Sequence, residues 1–172
     1  MDKKLIGGAI ALAVLSFGGG AYCGRCHLYS HSLPHIASAY MRAAGSGHSG
    51  AQIVAGVICA EELGCSYNPD QAHAYWQQAA EQNMPSAQYL AGYSYENGLG
   101  TERDYIKASQ LYEQAAAVNH SLAQRQLGYM YFYGKGVTED RAKGKQLLQK
   151  AADSGDVQAK SFLNELYNPK QK

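Results

Sequence analysis

One block of 36 residues is written twice between Ala79 and Lys150, and this period restricts the fold more than any other feature of the chain. Laid over itself at that offset, Ala79, Ala80, Asn83, Ala87, Gln88, Gly92, Tyr93, Tyr95, Gly98, Gly100, Asp104, Lys107, Gln110 and Leu111 meet identical residues. Their partners are Ala115, Ala116, Asn119, Ala123, Gln124, Gly128, Tyr129, Tyr131, Gly134, Gly136, Asp140, Lys143, Gln146 and Leu147. A gapless period of this size marks an array in which each repeat buries its apolar face only by stacking on its neighbours.

Each recurring position has a physical reason to recur. Ala87, Ala91, Gly92 and Tyr95 fall at helical spacing, a small-residue stripe that lets a second helix approach closely before one aromatic ring fills the gap. Ala123 continues that stripe in the next block and should resist enlargement, whereas Gln124, one residue on, is expected to tolerate change. Gly98-Leu99-Gly100 and Gly134-Lys135-Gly136 then break the helix, since paired glycines permit positive φ and a tight reversal. Asp104 and Asp140 are placed to N-cap a second helix, whose apolar face is Lys107, Ala108, Leu111, Tyr112, Ala115 and Ala116. Asn83, Asn119 and Gly155, one period apart, tolerate the left-handed conformation that ends it.

These residues, in the order Ala, Gly, Tyr, Gly-x-Gly, Asp, Lys, aromatic, Ala-Ala, resemble the Sel-like repeat family, a relative of the tetratricopeptide repeat. The resemblance implies antiparallel helix pairs stacked into a right-handed superhelix, and an adaptor rather than an enzyme. Mapping the chain onto the tetratricopeptide pattern puts Tyr95 and Tyr131 in the inter-helix core. It leaves Tyr89, Tyr93, Glu96, Arg125, Tyr129 and Phe132 projecting from first-type helices into a concave groove, where they would bind a protein partner; a mixture of tyrosine, phenylalanine and arginine suits an interface hot spot.

The period continues outward more weakly. Ala51, Gly56, Asn68, Ala72, Trp76, Ala79 and Ala80 precede Ala87, Gly92, Asp104, Ala108, Tyr112, Ala115 and Ala116 by the same offset, so residues near 48–80 form another repeat, with Asn68 as cap and Pro69 in the first turn. Cys59 takes the site of Tyr95, and Gly64 keeps the second turn glycine while Glu62 replaces the first. Ser32, Tyr40, Ala43 and Ala44 fit a lone second-type helix over Leu33–Ala44. At the other end Asp156 should cap a terminal helix with Ala159, Leu163 and Tyr167 on its buried stripe. The expected fold is an all-α solenoid of antiparallel helix pairs, three full repeats with a half-repeat at each end, over residues 32–168, followed by a tail at 169–172.

Met1 to Ala21 has the layout of an export signal: Lys3 and Lys4, an apolar stretch from Leu5 to Phe17, then Gly18-Gly19-Gly20-Ala21. A cleaved signal peptide is the reading adopted. An uncleaved anchor through residues 5–21 is the alternative, since extension to Tyr22 gives about 18 residues, near the lower limit for a span. Bulky Tyr22 directly before Cys23 speaks against lipoprotein acylation. The expected location is the periplasm or cell envelope, with inner-membrane anchoring if the leader is retained.

Residues 22–31 form a linker containing Cys23-Gly24-Arg25-Cys26-His27, the form of a c-type haem attachment motif. His31, His35 or His48 could supply a second axial ligand, and zinc through Cys23, Cys26 and nearby histidines is a further possibility. Against haem, the motif sits at the cleavage site and nothing between it and the repeats could wrap a macrocycle. No cofactor is therefore expected, and the cysteines are read as disulfides of an oxidising compartment, Cys23 with Cys26 and Cys59 with Cys65. Cys59 as a plain buried hydrophobe is the alternative.

The 172 residues carry 15 basic and 14 acidic side chains, a net charge of +1, which supplies neither a nucleic-acid groove nor a polybasic membrane patch. Fourteen tyrosines against three phenylalanines and one tryptophan suit half-buried contacts whose hydroxyls reach water. No catalytic constellation emerges: His48, His73 and His120 fall near helix starts and turns, Glu61-Glu62 adjoins a turn, and Lys107 and Lys143 recur as structural residues. Function is thus read as protein binding outside the cytoplasm. The resemblance implies as a specific version an immunity protein that neutralises a toxin such as a secreted lipase. A haem or thiol redox protein is the rival class, and a β-lactam-binding cysteine-rich relative a weaker one, since the second cysteine pair lies within one helix and turn.

Overall fold

A computed structural model describes residues 33–61, 63 and 66–167. The leader, the Cys23–His27 motif, Ser32 and the tail lie outside the described residues. So does Cys65, and with it the expected Cys59–Cys65 bridge. Among the described residues there are eight α-helices and no strand. They are α1 (Leu33–Gly45), α2 (Ser49–Ala60), α3 (Pro69–Glu81), α4 (Pro85–Asn97), α5 (Tyr105–Ala117), α6 (Ser121–Tyr133), α7 (Arg141–Asp153) and α8 (Val157–Tyr167). The expected arrangement of a lone helix, three pairs and a terminal helix is the one observed. The chain divides into two compact units, Met1–Ala79 and Ala80–Lys172.

The helices start and stop where local chemistry dictates. Asp104 accepts from the backbone N–H of Ile106 and Lys107, Asp140 from Lys143, and Asn68 from Gln71, satisfying amides that the first helical turn leaves orphaned. Second-type helices end at Asn83 (φ 58°), Asn119 (φ 63°) and Gly155 (φ 93°), and Gly47 (φ 84°) continues the same row one period earlier. First-type helices end on left-handed Gly98 and Gly134. Gly136 is doubly constrained: its φ is 68°, and any Cβ there would run into the Tyr105 carbonyl.

Within the first unit, α1 packs on α2 through Ala44, Ala51 and Ala55, with Met41, Ala43 and Tyr75 around them. Gly56 leaves the seat for the Trp76 indole, which is fully buried and donates from Nε1 to the Ile53 carbonyl at 3.3 Å. Cys59 is buried with its Sγ 3.9 Å from Met41 Sδ.

The second unit repeats this device. A Cβ on Gly92 would lie 2.8 Å from the Tyr112 ring, and one on Gly128 would lie 2.8 Å from Leu148 Cγ. The recurring glycine is therefore a socket, and the large residue twenty positions on is its plug: Trp76, Tyr112 or Leu148. Successive helices from α4 to α8 pack on one another, and Leu148, Ala151, Ala159 and Leu163 close the last pair.

Three expectations are corrected. Gln124 is only 2% exposed, as Gln52 and Gln88 also are buried. This recurring amide donates inward, to the Ala44 carbonyl and Gln78 from Gln52, to Gln114 from Gln88, and to the Ala116 carbonyl and Asn119 from Gln124, so Gln52 and Gln124 satisfy helix-end carbonyls while Gln88 pairs with another side-chain amide. Tyr95 and Tyr131 are half-buried rather than core, because Lys107 and Lys143 lie over their rings and the Tyr131 hydroxyl reaches Glu113 at 2.7 Å. Tyr167 is 65% exposed, its ring facing Lys145 instead of the α8 core.

Candidate functional site

The six residues expected to project toward a partner separate into two sets. Tyr89 and Phe132 are 9% and 8% exposed, and the Arg125 side chain is 12% exposed. These three are turned into the stack, which corrects the expectation. Tyr89 lies between Tyr112, at 5.8 Å between ring centroids, and His120, at 5.4 Å. Arg125 donates from the single nitrogen Nη1 to both Asp156 Oδ1 (3.1 Å) and Oδ2 (2.9 Å), while Asp156 Oδ1 also caps Ala159 as anticipated. Phe132 packs edge-to-face on Phe162 and Tyr133. Tyr93, Glu96 and Tyr129 remain partly open to solvent.

A groove in the second unit, about 330 Å³ in volume, is lined by Glu96, Gln126, Tyr129, Met130, Tyr133, Lys135 and Phe162. Two of these, Glu96 and Tyr129, belong to the expected set. Helix α4 supplies Glu96 from its last turn, α6 supplies Gln126 through Tyr133, the following turn supplies Lys135 and α8 supplies Phe162. Tyr129 meets Phe162 at 5.0 Å and 76°, and Tyr133 meets it at 6.3 Å and 70°, so the aromatic wall is held by edge-to-face packing. Burial raises the Tyr129 phenol above its ordinary range, opposed by the Arg125 charge.

Glu96 is fixed from behind. The Tyr112 hydroxyl donates to Glu96 Oε2 at 2.8 Å and the Gln126 amide to the same oxygen at 3.4 Å. Burial, reinforced by the neighbouring carboxylate, pushes the Tyr112 phenol well above its usual range, so it stays a neutral donor. Sequence reasoning missed Gln126, Tyr133, Lys135 and Phe162, because the groove draws on a turn and on the terminal helix as well as on recurring positions. The aromatics Tyr133 and Phe162, standing at non-recurring places, were the available signal.

Other candidate chemistry is structural. His120 accepts from the Ala123 N–H through Nδ1 at 3.4 Å, a capping role in line with expectation, and burial lowers its pKa. Among the described residues, no group of three or more His, Cys, Asp and Glu side chains could hold a metal ion, and no helix is long and apolar enough to cross a membrane.

Helix pairs with a small-residue socket in each first helix, joined by left-handed glycines at Gly98 and Gly100 and at Gly134 and Gly136, define an α-helical repeat of antiparallel pairs. The Sel1 repeat family model matches residues 49–84, 85–120 and 121–156, and the chain belongs to that family, whose members are protein–protein interaction modules. Among solved structures it is similar to a Sel1 repeat protein from Oxalobacter formigenes, at 32% identity over 76% of this chain and 98% of that one, with a TM-score of 0.66. It is also similar to a protective antigen of uropathogenic Escherichia coli strains that displays the same repeat fold, at 29% identity over 94% of this chain and 33% of that one (TM-score 0.76). Cysteine rich protein B of Helicobacter pylori, at 24% identity over 81% and 99% of the two chains (TM-score 0.59), shares the fold. No curated protein matches the chain.

Proposed function

We propose that the chain is an exported protein-binding module of the cell envelope, and that its partner docks on the open side of the first-type helices, at the groove walled by Tyr129, Tyr133 and Phe162. The observation that carries this reading is the groove itself: Tyr129, Tyr133 and Phe162 are left partly open side by side around one concavity, while the residues that face the recurring glycines, Trp76, Tyr112 and Leu148, are fully buried. Aromatic residues concentrate binding energy at interfaces because they remove much apolar area at small entropic cost. Of the residues first assigned to binding, Tyr93, Glu96 and Tyr129 stay in the contact surface, while Tyr89, Arg125 and Phe132 support it from within.

Export rests on Lys3, Lys4 and the apolar leader, and a reporter active only after export, fused behind residues 1–30, tests it. The reading assigns no haem to Cys23, Cys26 and His27; a Soret band in the exported protein would replace it with a redox role. Inhibition of a toxin such as a secreted lipase is its most specific form, tested by co-expression with toxins encoded by neighbouring genes. The decisive experiment is partner recovery with the exported chain followed by Tyr129→Ala. The expected loss is about 2 kcal/mol of binding with an unchanged thermal midpoint, and equal binding by the variant would move the site elsewhere.

A further inference from the structure

The groove holds a carboxylate that the repeat does not require. One period before Glu96 stands Ala60 and one period after it stands Phe132, so stacking alone would be served by an apolar residue at this position. Glu96 nonetheless is half-buried, and both of its hydrogen bonds come from neutral donors, Tyr112 and Gln126, onto the single oxygen Oε2. Among the described residues no cation forms an ion pair with Glu96: Arg125 places Nη1 on Asp156, and Lys135 lines the same groove without an ion pair to it. An anionic group held rigid by two donors, with its other oxygen directed to no protein partner and with aromatic rings alongside, is half of an ion pair.

We propose that the groove takes a basic side chain, arginine foremost, from a segment of the partner protein, with its guanidinium on Glu96 Oε1 and its plane against the Tyr129 and Tyr133 rings. This rests on the reading that the first-type helix face binds a protein. Arginine fits for three reasons. Its planar guanidinium can aim N–H groups at the single open oxygen Oε1, it stacks on tyrosine, and its weak hydration lowers the cost of leaving water for a half-buried site. Tyr133 is 55% exposed, so ring surface is open for that stacking. A volume of about 330 Å³ accepts one long side chain with adjoining backbone rather than a folded domain. Lys135 opposes the guest charge from the rim, which makes it a specificity filter: its removal should tighten an arginine-bearing ligand and weaken an acidic one.

The test uses the full chain and a random-peptide phage library, with enriched peptides then titrated by fluorescence anisotropy. Enriched sequences should share an arginine or lysine, and replacing that residue by norleucine should cost about tenfold in affinity. Glu96→Gln, which keeps an acceptor for the Tyr112 hydroxyl, should cost a similar factor, Lys135→Ala should tighten binding, and Glu113→Gln, outside the groove, should do neither. Peptides that lack a basic residue, or that bind Glu96→Gln as tightly as the parent, would overturn this inference and leave the helix face as a protein-binding site. No enrichment at all would overturn both. Should Glu96→Gln fail to fold, the norleucine comparison on the parent protein decides alone.

Discussion

Two consecutive repeat junctions of the second unit are built from equivalent positions with opposite chemistry. Where the second repeat meets the third, Tyr89 stacks on His120 at 5.4 Å between centroids with planes 30° apart. One period on, Arg125 replaces Tyr89 and Asp156 replaces His120, and the stack becomes an ion pair in which Arg125 Nη1 is shared between the two carboxylate oxygens at 2.9 and 3.1 Å. The backbone task is the same in both, since His120 caps Ala123 and Asp156 caps Ala159. What differs is the cost of losing one partner. Removing a ring leaves a void, whereas removing the guanidinium leaves a carboxylate whose side chain is 3% exposed without its counter-charge. Repeats thus conserve where a junction stands while exchanging the pair that closes it.

The largest expected effect follows from that asymmetry. Arg125→Ala should destabilise the protein by about 3–5 kcal/mol, read as a lowered midpoint of chemical unfolding, because it strands Asp156. Copying the other junction into this site with Arg125→Tyr and Asp156→His should recover more than half of that loss. If the double variant is no better than the sum of its single changes, the two junctions are not interchangeable and the equivalence fails.

A smaller effect separates the junctions by pH. Burial holds His120 below the ordinary histidine value of about 6.5. The unfolded chain therefore takes up the proton first, so this residue's contribution is full above about pH 6.5 and is lost as pH falls through the lower folded value. His120→Asn, which can still cap the helix without titrating, should show a shallower fall in unfolding midpoint over that window. Parallel profiles for parent and variant would mean the imidazole is not excluded from water as its packing on Tyr89 indicates.

Much of this fold was legible because repetition converts sequence into geometry. The glycine turns, the aspartate caps and the left-handed asparagines each recur and each does what its chemistry allows, and Gly47 extends the last row one period earlier. The buried glutamines were misread for a definable reason. An amide looks like a surface residue, yet Gln52, Gln88 and Gln124 recur one residue after the small-residue stripe and each finds an internal acceptor, whereas Gln110 and Gln146 recur just as faithfully and stay exposed. The site was less legible. Tyr89 and Arg125 looked free because they change between repeats, although their partners His120 and Asp156 change with them, 31 residues on. Tyr129 and Glu96 line the pocket, but Phe162 and Lys135 enter it from the terminal helix and a turn, where the repeat pattern carries no instruction.

The central claim is that first-type helices carry recognition and second-type helices carry support. Amide hydrogen exchange of the full chain with and without a bound enriched peptide tests it most directly. Protection is predicted over the C-terminal half of α4, over α6 and its following turn, and around Phe162 in α8. Protection confined to α5 and α7, with α4 and α6 unchanged, would contradict the account.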